Sequence, residues 1–192
     1  MRAVITAIGI LVILAVIGGI VIYSGAYNIG ADAPHSSLVF ETLEQLRDRS
    51  IARHARAVSV PNDLNSPKRI AAGAALYDEM CTACHLGPGV ERSELSQGLY
   101  PSAPELAEGD DLSPAEQFWV IKHGVKLTAM PAWGKTHDDQ LIWDMVAFVR
   151  QMPKLSAQQY RAAVASAPES HEEMMEHQPG AKPETGSKPK TD

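Results

Sequence analysis

The chain has 192 residues, 17 basic against 23 acidic, giving a formal net charge of -6 and a pI near 5.6. With no dense basic patch, this balance argues against nucleic acid as a partner. The length suits one ordinary domain with appendages. Both cysteines of the chain fall in one short motif, so no structural disulfide is available.

Ala3 to Tyr23 is an uninterrupted apolar run without a charge. As a helix it would reach about 31 Å, close to the hydrocarbon thickness of a bilayer. A cleaved signal peptide would use Ser24-Gly25-Ala26 as its small-residue site. Signal h-regions, however, run to only about 7–15 residues, so residues 1–26 are expected to form an uncleaved transmembrane anchor. Arg2 precedes the run, and no Lys or Arg occurs from Ser24 to Leu46. That asymmetry places the N-terminus in the cytoplasm and the rest of the chain across the membrane. Ala15 and Gly19 form a small-xxx-small pair that would either admit a neighbouring helix or face lipid.

Residues 27–65 are expected to be a juxtamembrane connector. Within it, Leu38 to about Val58 has helical periodicity. Val39, Leu43, Leu46 and Ile51 give an apolar side, and Arg49, Arg53 and Arg56 recur on another. Such a basic face is either solvated, laid on anionic headgroups or docked on a partner. Pro61, Asn62 and Asn65 then mark a linker.

Residues 66–163 are expected to form the main domain. Ser66 with Pro67 is a helix start, and the helix runs to about Met80. It delivers Cys81-Thr82-Ala83-Cys84-His85, the C-x-x-C-H attachment signature of a c-type haem. Two thiols three positions apart can add to the two vinyl groups of one porphyrin, and the next histidine can ligate iron. A thioredoxin-type or zinc reading would need a βαβ pattern or a second ligand pair, and neither is visible. Leu86 to Leu112 has no periodicity and is rich in Gly and Pro, as a loop wrapped round a haem would be. Ser113-Pro114 opens a helix to about His123, stopped by Gly124. After a Val125–Lys135 loop, Thr136 is expected to cap a last helix that begins with Asp138 and Asp139 and is apolar on most sides. Ser156-Ala157-Gln158-Gln159 starts one more short helix.

A helix entering C-x-x-C-H, a Gly/Pro loop, a Met-Pro loop and a closing helix together resemble class I cytochrome c. The likeness covers roughly Ser66 to Met152. It is closest to small single-haem bacterial cytochromes and to haem subunits of oxidases and dehydrogenases. Gly73, Tyr77 and Cys81, four apart, match the family's first helix, where the glycine admits the closing helix. Met145 and Phe148 stand where the family places the residues that meet that glycine and aromatic.

The resemblance implies that Met130, in Ala129-Met130-Pro131, is the distal iron ligand opposite His85. His123 and His137 are the rivals, and either would give a lower-potential bis-histidine iron. A thioether opposite imidazole favours ferrous iron and raises the potential. The resemblance also implies a proline carbonyl as acceptor for the His85 ring N–H, from Pro88, Pro101 or Pro104. Pro104 precedes Glu105-Leu106 like the family's Gly-Pro-x-Leu stretch. Trp119 and Trp133 are expected to wall the pocket. Lys122, Lys126 and Lys135 surround the ligand loop in a segment whose balance from Ser66 to Met152 is 7 − 12 = −5. They serve either as a docking patch or as ordinary solvated surface.

Residues 164–192 are rich in Pro, Ser, Glu, Lys and Gly and are expected to be a disordered tail. Its His171, Met174, Met175 and His177 have the donor chemistry for copper. The chain is thus expected to be all-α: a class I cytochrome c fold around one covalent haem c, held by Cys81, Cys84, His85 and Met130. Its expected place is the bacterial inner membrane with the haem domain in the periplasm. There it would carry single electrons between respiratory proteins, alone or within an oxidase or dehydrogenase complex. With the iron six-coordinate it would not be an enzyme by itself. A haem-based gas or redox sensor with an exchangeable distal ligand is the alternative.

Overall fold

The computed structural model describes residues 1–178 and contains no strand among them. The chain divides into two compact units, Met1–Pro34 and His35 onward. The first consists of helix α1 (Arg2–Ser24), whose mean hydropathy reaches 3.0 and whose side chains are all exposed. It is long and apolar enough to cross a membrane. It stops at Gly25, which adopts the left-handed conformation (φ 64°) that costs glycine little.

The second unit is built on the crossing of α3 (Pro67–Met80) and α7 (Asp139–Gln151). Ser66 caps α3 through the Arg69 N–H, with Pro67 in the first turn. Gly73 lies at the crossing, where a Cβ would stand 2.0 Å from the Asp144 carbonyl oxygen. Only a residue without a Cβ lets the two backbones meet there. α7 is buried nearly all round, at Leu141, Ile142, Trp143 and from Met145 to Val149. One side of the crossing packs Leu76, Phe118, Trp143 and Val146. The other packs Tyr77, Phe148, Met152 and Tyr160. Phe148 meets both Gly73 and Tyr77, as the resemblance implied, whereas Met145 turns into the first cluster.

α6 (Pro114–His123) opens with a full capping box between Ser113 and Glu116. The cap of α7 is Asp138, not Thr136. The Asp138 carboxylate accepts from both Gln140 and Leu141 N–H groups, and Thr136 closes the short turn Trp133–Lys135 instead. A carboxylate satisfies two orphan donors and opposes the helix dipole, so it displaces the hydroxyl two residues earlier.

Two segments at the edges of the expected domain join the unit. α2 (Ser37–Ala55) buries Ile51 and Ala55 and packs on α6, with the His54 ring 5.4 Å from Trp119. The His35 N–H donates to the Tyr100 hydroxyl at 2.8 Å. At the other end, α8 (Ala157–Ala165) buries Tyr160, and α9 (His171–Glu176) buries Met174 in the first cluster. The expected disorder from residue 164 therefore does not hold as far as Gln178. Composition averaged over the tail hides the apolar contacts of Met174, Met175 and Ala167 with the first cluster. Residues 179–192 lie outside the described residues.

Candidate haem-binding site

α3 hands the chain to the C-x-x-C-H motif without a break. Cys81 ends α3 with its N–H on the Tyr77 carbonyl at 2.9 Å, and the single turn α4 (Thr82–His85) follows. That turn closes with the His85 N–H on the Cys81 carbonyl at 2.8 Å. One turn therefore carries both thiols and the imidazole. Both cysteines are free and half-buried. Burial, reinforced by Cys84, pushes the Cys81 thiol up to about 12, so it is protonated at neutral pH.

His85 Nδ1 lies 2.9 Å from the Pro104 carbonyl oxygen. A carbonyl only accepts, so Nδ1 carries the proton and Nε2 keeps its lone pair. Burial lowers the imidazole pKa against the opposing pull of that carbonyl. The ring is thus neutral, the form in which histidine binds a metal. Of the three candidate prolines, Pro104 is the one in place.

The long interval to Pro104 is tied back to the motif. Ser93 donates from its hydroxyl to the Ala83 carbonyl at 2.6 Å and caps α5 (Glu94–Gln97). Arg92 pairs with Glu105, and a short turn at Leu106–Glu108 follows. The loop expected to be structureless is therefore partly helical. At its start, Leu86 is buried in a positive-φ conformation (φ 59°), and its carbonyl accepts the Tyr77 hydroxyl at 2.6 Å. That bond inside the core helps hold a backbone state an L-residue rarely takes.

Met130 is half-buried in a tight loop. The Val125 N–H donates to its carbonyl at 3.3 Å, and the Thr128 hydroxyl accepts its N–H at 3.1 Å while donating to the Val125 carbonyl. Gly124 (φ 65°) closes the loop from below. A Cβ there would lie 2.7 Å from both the Met130 oxygen and the Pro131 carbonyl carbon.

The rival histidines are engaged elsewhere. His123 is exposed with its ring 5.0 Å from Trp119. His137 is buried, with Nδ1 2.8 Å from the Thr136 hydroxyl and Nε2 3.1 Å from His171 Nε2, so both ring nitrogens have partners. Trp119 thus sits between His54 and His123, and Trp133 stands edge-on to His137 at 5.4 Å. Lys122 reaches Asp139 and belongs to an ion pair.

Residues 68–149 match the family model described as cytochrome c oxidase, cbb3-type, subunit III. This segment belongs to the class I c-type cytochromes. No curated protein and no solved structure matches the chain. The match begins in the first turn of α3 and ends near the close of α7, so it spans the crossing, the motif and the methionine loop of the cytochrome domain.

Membership implies a haem, and the donor set here fits one. The fit rests on two free thiols on one turn, a neutral imidazole aimed by its Nδ1 bond, and a thioether in a backbone-fixed loop. Sequence reasoning missed the polar brace of the cytochrome domain. Buried Gln117 donates to Asp110 at 3.0 Å and accepts from Arg150, which also reaches the Leu112 carbonyl. Polar residues on amphipathic helices read as solvent-facing, so no signal marked them.

Proposed function

We propose that the chain is a membrane-anchored, single-haem c-type cytochrome whose domain works on the periplasmic side and passes one electron at a time between respiratory partners. In this reading α1 stays in the inner membrane and the cytochrome domain faces outward. The form favoured by the family match is a haem subunit of an oxidase-type complex. Cys81 and Cys84 would tether the haem, and His85 and Met130 would ligate its iron. Bound there, the haem supplies reversible one-electron exchange. The chain's own part is to hold the imidazole neutral and oriented through Pro104, and to keep the thioether loop rigid through Gly124, Thr128 and Pro131. Rigidity on both sides limits reorganisation, which suits a carrier more than a catalyst.

The observation that carries the reading is the His85–Pro104 bond on a C-x-x-C-H turn. The test is a carbon monoxide difference spectrum of the reduced, intact protein. No binding is expected, and ready binding would move the assignment to sensing or catalysis. Met130→Ala is expected to retain covalent haem, visible after denaturing electrophoresis, and to bind carbon monoxide. His85→Ala is expected to yield no stable holoprotein. An unchanged spectrum in Met130→Ala would refute the ligand assignment. Recovery from mild detergent without stoichiometric oxidase subunits would refute the complex.

A further inference from the structure

On the side of α2 turned away from α6, seven residues share one face, so Val39 and Leu46 lie beside the arginines and not on a separate apolar side with the buried Ile51. Leu38, Val39, Thr42, Leu46, Arg49, Arg53 and Arg56 fall within about 100° at helical spacing. All seven are exposed, Leu38 at 77% and Leu46 at 64%. The basic half has no carboxylate of its own. Glu44 and Asp48 are taken by Arg47 on the flank, and Arg49, Arg53 and Arg56 make no ion pair or hydrogen bond among the described residues. Neither the leucines nor the arginines support the fold, which α2 joins through Ile51 and Ala55 on its other side. Three unpaired guanidinium groups in a chain of net charge -6 point to an anionic surface outside the molecule.

We propose that this face docks on anionic phospholipid, with the arginines on phosphate groups and Leu38 and Leu46 in the headgroup–acyl boundary. The order of residues favours lipid over an acidic protein. The apolar end of α2 is the end nearest α1, and only residues 25–36 separate the two helices. An inserted α1 therefore keeps Leu38 within about 40 Å of the bilayer. Arg49, Arg53 and Arg56 follow about one, two and three turns after Leu46, placed to reach phosphate with their long stems. The inference rests on the anchored reading given above.

The experiment is hydrogen–deuterium exchange of the full haem-loaded chain in nanodiscs of phosphatidylcholine alone or with phosphatidylglycerol added. Anionic discs are expected to slow exchange across α2 about fivefold or more relative to neutral discs, reversibly with salt. The triple variant Arg49→Gln, Arg53→Gln, Arg56→Gln should lose that slowing while keeping its haem spectrum. Protection of α1 in both discs with equal α2 exchange would overturn the docking face and leave the anchor standing. Exposed α1 in both discs would overturn the anchor itself. If polyglutamate in solution protects α2 as well as anionic discs do, the face is an acidic-protein dock and the lipid assignment falls.

Discussion

His137 and His171 meet nitrogen to nitrogen at 3.1 Å, with rings 11° from parallel and centroids 5.3 Å apart. The centroid distance exceeds the nitrogen distance by about two ring radii, so the contact is an end-on N–H···N bond in which one facing nitrogen carries the proton. Burial first, then His171, lowers the His137 pKa, while the Trp133 carbonyl and Asp138 pull the other way. A histidine depressed in the fold contributes stability that is full above its unfolded value, about 6.5. That stability is lost as pH falls through the lowered folded value. Acidification is therefore expected to free α9, read as lost amide protection at Glu172–Glu176 as pH falls from about 6.5. Exchange in α7 should stay slow, and His137→Phe should remove the pH dependence. Asp144 behaves in the opposite sense. Burial pushes its carboxyl up to about 6 although Arg69 lies 2.7 Å away. That guanidinium also serves Asp63 and Gln140, and its own pKa is raised by its carboxylate bonds against burial. The Asp144 contribution is thus greatest below about 3.8 and is lost as pH rises through about 6. In urea unfolding, Asp144→Asn should gain stability relative to the parent between pH 4 and pH 6. A flat difference across that range would refute the assignment.

The helices succeed or fail at their crossings. At Gly73 the obstruction to a Cβ is the backbone of α7, which cannot swing aside as a side chain can. Gly73→Ala is expected to cost about 3 kcal/mol or more, read as a lowered denaturation midpoint. Gly124→Ala strikes the Met130–Pro131 backbone and its own positive φ, so it should shift the reduction potential with a smaller stability loss. Equal damage to stability and potential in both variants would contradict this division of roles. These helices were legible because their starts are local chemistry: Ser66-Pro67, Ser113-Pro114 and Ser156 each cap where expected. The α7 cap lies two residues beyond the expected Thr136, and the helix starts one residue beyond the expected Asp138, because Thr136 and Asp138 are both competent caps and only geometry chooses between them. Among the three candidate prolines only the likeness of Pro104-Glu105-Leu106 to the family stretch favours Pro104, since the interval from His85 depends on how Ser93 and Arg92 fold the loop back. The His137–His171 bond left no trace in sequence, because its partners are 34 positions apart and neither lies on a repeating face.

At the scale of the molecule, every candidate haem-binding residue lies in the second unit, from His35 onward. A chain in which residues 1–24 are replaced by a cleavable export signal is expected to leave the membrane fraction and keep the parent's spectrum and potential. Retention in the membrane would mean that the second unit binds there independently. Disagreement in potential would mean that α1 tunes the haem. The sequence marks residues 27–65 as a juxtamembrane connector carrying a helix from Leu38 to about Val58. Packing of α2 on α6 changes what that stretch is. Between Ser24 and Pro67 lie 42 residues, but only the 12 at 25–36 run from the end of α1 to the start of α2. For a flexible tether the reach grows as the square root of its length, so a leash of 12 in place of 42 shrinks the volume swept by a tethered domain roughly sixfold. With α1 held in a bilayer as proposed, the packed helix would raise the frequency of encounter with anything fixed in the same patch of membrane, without adding a contact to that partner.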